Sequence, residues 1–158
     1  MKQLYRFFLL CLCLALPVAE AGEDAAVSAV LDRFHAAASK AQFDDYFAQF
    51  TDDGVFIGTD ASERWTVPQF QAYARPHFDK GRGWTYTKVE RHISLAPDGS
   101  HAWFDELLDN ASLGRCRGSG VLRKVAGQWK IAQYHLTIPV PNALADEFAK
   151  RIRAAAPG

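Results

Sequence analysis

The chain has 158 residues, 49% of them hydrophobic, and its 18 basic side chains balance 18 acidic ones. That length and apolar fraction suit one globular domain with its own core. Nothing in this balance suggests the clustered basic surface of a nucleic-acid binder, so no nucleic-acid partner is expected.

The first 21 residues read as an export signal rather than as part of the fold. Met1 to Arg6 carries Lys2 and Arg6, Phe7 to Leu16 is an apolar run, Pro17 breaks it, and Ala19-Glu20-Ala21 is a small-x-small cleavage site. This pattern predicts a secretory signal peptide over 1–21 and a single domain over 22–158, in a periplasmic or secreted protein. The run is too short to span a bilayer, so no membrane partner is expected after cleavage. A lipoprotein anchor at Cys11 or Cys13 is the rival reading, but each cysteine follows a leucine rather than a small residue. Cleavage leaves Cys116 alone, so no internal disulfide is expected and Cys116 reads as a small buried hydrophobe.

Asp24 to Ser39 carries Val27, Val30, Leu31, Phe34 and Ala38 on one helical face. Phe43, Tyr46, Phe47 and Phe50 predict a second short helix, closed by the turn signal Thr51-Asp52-Asp53-Gly54. Val55–Gly58 and Glu63–Trp65 read as short strands. Thr66, with Gln69 three residues on, predicts a capped third helix with Phe70, Tyr73, Ala74 and Phe78 inward. Pro76 is expected to kink or end it. Four long strands follow: Trp84–Leu95, His101–Asp109, Arg115–Val125 and Gln128–Thr137. Asn142 is positioned to cap a last helix with Leu144, Phe148 and Ile152 on its apolar side. Helices followed by a long meander predict an α+β fold, a curved antiparallel sheet with helices on one face.

Pairing the strands on paper locates a candidate site. Closing the last hairpin with Lys124 opposite Trp129 puts Gly118 opposite His135. Closing the preceding one with Asp109 opposite Gly114 puts Asp105 opposite Gly118. One sheet face then collects Trp103, Asp105, Cys116, Gly118, Trp129, Ile131, Gln133 and His135. Gly118 leaves space between Asp105 and His135, as strand glycines often do beside a ligand. The opposite face takes Phe104, Glu106, Arg117 and Tyr134, with Glu106 and Arg117 as a cross-strand ion pair. A one-residue slip exchanges the faces and makes Glu106 the inward acid. Asp105 and Glu106 therefore both stay open, the second in reserve.

Several strings resemble the SnoaL-like branch of the nuclear transport factor 2-like superfamily: YFAQFTDDGVFIGTD at 46–60, ERW at 63–65, AWFDELLD at 102–109 and RGSGVLRKVAGQWKIAQYHLTIPVPN at 117–142. The resemblance implies a cone-shaped α+β fold, with the helices on the concave face of the sheet and an internal pocket. It also implies homodimerisation through the outer sheet face, on which Phe104 and Tyr134 are expected beside Arg117 and Glu106. Superfamily members include cofactor-free isomerases, cyclases, dehydratases and hydrolases, and also non-catalytic modules, so fold alone does not give function.

Two readings stand. In the first, the exported protein binds a small, mostly apolar molecule and performs cofactor-free acid/base chemistry. His135 is the base, oriented by Asp105. In the second it is a dimeric, non-catalytic ligand-binding or assembly module. Tyr46, Trp65, Trp103, Gln133, Gly118 and Asp60 are expected around the pocket, with Tyr73 and Trp84 as further aromatic candidates. Asp60 in GTDASERW is either a second acid or a turn residue that accepts backbone hydrogen bonds. The histidines His35, His77, His92, His101 and His135 show no tight metal-ligand spacing, so neither metal nor cofactor is expected.

Overall fold

The computed structural model describes residues 22–155, so the predicted signal peptide lies outside the described residues. Helix α1 (Glu23–Ser39) and helix α2 (Phe43–Phe47) lead into strand β1 (Phe50–Ile57) and strand β2 (Arg64–Thr66). Helix α3 (Val67–Phe78) precedes the meander β3 (Thr87–Leu95), β4 (His101–Asn110), β5 (Gly114–Val125) and β6 (Gln128–Thr137). A short 3-10 turn, Asn142–Leu144, opens helix α4 (Ala145–Ala155).

The six strands form one sheet in the order β2-β1-β6-β5-β4-β3. The sheet does not close on itself and curves around the helices as a cone-shaped α+β fold. It is mixed rather than wholly antiparallel, because β1 runs parallel to β6. Those two strands are far apart in the chain, so no hairpin sets their relative direction.

The periodic face of α1 places Val27, Val30, Leu31, Phe34 and Ala38 in the core. They meet Phe104, Leu108, Leu122 and Ile131 from the sheet. Phe34 anchors this layer, stacked on Tyr46 with ring centroids 4.5 Å apart and tilted on Tyr134 at 4.8 Å. Burying a side chain of this size contributes about 2 kcal/mol. Thr66 caps α3 through the expected capping box with Gln69.

Several boundaries differ from the sequence reading. Phe50 to Gly54 belongs to β1, not to a helix end and turn, because the parallel ladder with β6 draws it into the sheet. Pro76 sits in the last turn of α3, where only one helical hydrogen bond is forfeited, and the helix runs on to Phe78. Trp84 to Tyr86 precede β3 rather than opening it. Asn142 makes no side-chain cap. Helix α4 keeps its amphipathic pattern but buries none of its residues.

Two register details decide which side chains face inward. The β4–β5 hairpin closes at Asn110 opposite Gly114, not at Asp109. The Asn110 side-chain oxygen accepts from the backbone N–H groups of Ser112 and Leu113, both at 2.9 Å, which carries the ladder one residue further. Glu106 therefore lies opposite Gly118, and Phe104 opposite Gly120. In β6 the pairs Lys124–Trp129 and Leu122–Ile131 are as expected, but Val121 then pairs with Gln133. Ala132 is an extra residue, a β-bulge, and beyond it the alternation reverses. Trp129 and Ile131 face in before the bulge, and Tyr134 and Leu136 face in after it.

Candidate functional site

A cavity of about 160 Å³ lies between the helices and the inner sheet face. Its polar floor is His35 from α1 and Tyr134 from β6. Phe56, Trp65 and Phe70 wall it, and the exposed Tyr73 and Leu113 mark its open end, with half-buried Glu63 also in the lining. The wall rings lie nearly parallel. Trp65 is 8° from Phe70 at 5.4 Å and 23° from Tyr73 at 4.7 Å, and Phe56 is 5° from Tyr134 at 5.8 Å. These rings stack on one another and form one continuous aromatic wall.

Beneath the floor lies a buried network. Glu106 is completely buried. One carboxylate oxygen accepts from His35 Nε2 at 2.7 Å and from the Tyr134 hydroxyl at 2.9 Å. The other accepts from Arg91 Nε at 2.8 Å. Arg91 Nη2 is 2.7 Å from that same oxygen, close enough for an ion pair but without the angle for a hydrogen bond. Arg91 Nη1 donates to Asp32 at 2.7 Å and to the backbone oxygen of Ser28 at 3.0 Å. The network joins α1, β3, β4 and β6 because Ser28, Asp32 and His35 share one helical face.

The electrostatics follow from this geometry. Burial pushes the Glu106 carboxyl up, but the hydrogen bonds from His35 and Arg91 and the Arg91 charge outweigh it, leaving its pKa below the ordinary value. Burial and the adjoining Glu106 charge push the Tyr134 hydroxyl far up, so it stays protonated. Tyr86, also on the cavity wall, is pushed up to about 12, mainly by burial and then by neighbours that include Glu63. An ionised Glu106 only accepts, so Nε2 of His35 carries a proton. His35 Nδ1 has no protein partner among the described residues and is not among the buried unpaired atoms, so it keeps some exposure on a residue that lines the cavity.

The proposed pair Asp105 and His135 is placed elsewhere. Both flank Ser119 on the outer face of the sheet, because the longer β4–β5 hairpin and the β6 bulge each shift alternation by one residue. Two strand spacings, about 9.5 Å, separate them, and no hydrogen bond joins them. Gln133 is exposed on that same face, and Trp103 is 51% exposed there. Tyr46, Trp65, Tyr73 and Trp84 line the cavity. Gly118 faces inward against Tyr134 and Glu106 without lining the cavity. Asp60 accepts from the backbone N–H and hydroxyl of Ser62 at 2.8 and 2.6 Å, as a turn residue, with its pKa lowered by those bonds. Glu106, the reserve acid, is the inward one, and its ion pair is with Arg91 rather than the exposed Arg117. Phe104 and Tyr134 are likewise buried, which removes them from the outer face on which dimerisation was expected.

His35 and Arg91 were missed as site residues. The one available signal for His35 was a polar group set between Phe34 and Ala38 on a helix's apolar face. Arg91 had none, since its partner lies 15 residues away across a hairpin whose register local sequence does not reveal. Among the described residues, no group of three histidine, cysteine or acidic side chains is placed to hold a metal ion.

The architecture is shared with solved structures. A protein with a cystatin-like fold and unknown function from Nostoc punctiforme superposes with a TM-score of 0.61 at 17% identity, covering 73% of this chain and 90% of that one. An NTF2-like (nuclear transport factor 2-like) protein of unknown function from Pseudomonas putida gives 0.62 at 16% identity, with 75% and 90% covered. A ketosteroid isomerase-like protein from Erwinia carotovora gives 0.57 at 21% identity, with 76% and 98% covered. The class is thus the nuclear transport factor 2-like fold. Residues 27–141 match the SnoaL-like domain model, and the chain belongs to that family. No curated protein matches the sequence.

Proposed function

We propose that this chain binds a small, mostly apolar molecule in the cavity and moves a proton on it without a cofactor, with His35 as the base. The observation that carries this reading is a histidine on the cavity wall whose one nitrogen is held by a buried carboxylate while the other has no protein partner among the described residues. Such an arrangement fixes the ring tautomer and leaves a lone pair for a substrate proton. The Tyr134 hydroxyl and Glu106 act as positioning groups behind it. The chemistry that suits it is proton transfer at carbon, as in isomerisation, cyclisation or dehydration. The isomerase-like neighbour supports this class, not a particular substrate.

The second reading, a passive binding or assembly module, draws support from the network itself. Glu106 has its partners without any ligand, so the array already serves to clamp α1 to the sheet. Export through residues 1–21, and homodimerisation through the outer sheet face, belong to the same proposal. On that face the half-exposed Trp103 lies opposite Val121, an apolar pair it offers to a partner.

The test is deuterium exchange from D2O into ring ketones and phenols found to bind by ligand-observed NMR. The wild type is expected to label a bound compound, and His35→Asn to bind it without labelling. Binding with no exchange in either protein hands the site to the passive reading. Equal exchange in both sinks His35 as the base.

A further inference from the structure

Glu63 is a charged group that the proton-transfer site does not use. It closes the turn between β1 and β2, where Gly58 N–H donates to the Glu63 carbonyl at 2.8 Å and Glu63 N–H donates to the Asp60 carbonyl at 2.9 Å. Its carboxylate folds back over the strand end and accepts from the Asp60 backbone N–H at 3.2 Å. Gly58 permits this, since a Cβ there would stand 2.1 Å from a carboxylate oxygen of Glu63. The carboxylate is thereby held in the cavity lining. Among the described residues no lysine or arginine lines the cavity, so within it this charge has no fixed cationic partner.

The cavity's size and walls restrict what reaches that charge. At about 160 Å³ it is close to a known apolar cavity of about 150 Å³ that takes one benzene ring. The stacked rings of Phe56, Phe70, Trp65 and Tyr73 offer an aromatic wall on which a guest ring can pack. We infer that the cavity selects a single flat ring whose hydrogen-bond donor, neutral or cationic, sits on the Glu63 carboxylate, and that it turns away rings bearing a carboxylate. His35 lines the same cavity. This inference rests on the cavity being a ligand site, as proposed above, and adds the substrate class.

Four probes test it by NMR titration of the wild type and of Glu63→Gln: phenol, benzylammonium, benzoate and 2-naphthol. Phenol and benzylammonium are expected to bind the wild type at least about tenfold more tightly than benzoate, the scale of a charge-assisted hydrogen bond gained or opposed. Glu63→Gln keeps an acceptor for Asp60 N–H and is expected to narrow that ratio. 2-Naphthol is expected to bind more weakly than phenol. Benzoate binding as tightly as phenol, a ratio unmoved in Glu63→Gln, or 2-naphthol binding more tightly than phenol would each overturn the inference while leaving the cavity a ligand site. Failure of every probe to bind overturns both. If Glu63→Gln does not fold, the wild-type ranking alone decides.

Discussion

Gly118 shows how one absent side chain holds the floor of the site together. A Cβ at this position would lie 2.2 Å from the Tyr134 hydroxyl and 3.0 Å from Glu106 Cγ. Tyr134 is buried and packed on Phe34, Phe56 and Phe104, so it has little room to retreat. Gly118→Ala is expected to break the 2.9 Å hydrogen bond to Glu106 and to cost about 2 kcal/mol by overpacking. Chemical denaturation measures the loss, and the Tyr134 ring resonances report the displacement. On the outer face, Asp105→Asn and His135→Ala are expected to change stability by less than about 0.5 kcal/mol and to leave ligand binding unchanged. Calorimetry and the same NMR titrations check both.

At the scale of the element, strand β6 carries the decisive irregularity. Trp129-Lys130-Ile131 alternates as a half-buried strand, and nothing in the letters of Ala132 marks a bulge. The cause is tertiary. β1 pairs with β6 at Phe50–Ile131 and again at Val55–Gln133, so four residues of β1 span what β6 crosses with Ala132 alone. Deleting Ala132 is expected to restore simple alternation and turn Tyr134 and Leu136 out of the core. Loss of two such side chains exceeds about 4 kcal/mol, so the variant is expected to lose its cooperative thermal transition, as read by circular dichroism. The sequence reading was right as far as Ile131 and failed from Gln133 onward for this reason. The β4 assignment failed at the hairpin instead, because the Asn110 side chain lengthens the ladder by one residue.

Across the whole molecule, the Glu106 network is the polar tie between the first helix and the sheet. Its folded pKa lies below the ordinary value of 4.5. The unfolded chain therefore takes up this proton first as pH falls. The stabilisation is complete above about pH 4.5 and is lost as pH drops through the folded pKa. Glu106→Gln removes the buried carboxylate from Arg91, leaving it only the half-exposed Asp32, and is expected to cost about 3 kcal/mol at pH 7. It is also expected to flatten the acid limb of the stability profile relative to wild type. Urea midpoints at pH 7 and at pH 3 measure both, and parallel profiles for the two proteins would show that Glu106 does not govern acid unfolding.

The amino-acid sequence alone determined what rests on local periodicity. The apolar stripe of α1, the Thr66–Gln69 cap, the four-strand meander and the SnoaL-like membership were legible because each is written within a few consecutive turns or strands. Only the tertiary structure decided which acid faces inward and which histidine it meets. Strand alternation has a period of two, so a single extra residue at Asn110 or Ala132 exchanges the two faces. The contact between His35 and Glu106, 71 residues apart, exists only once α1 lies across the sheet.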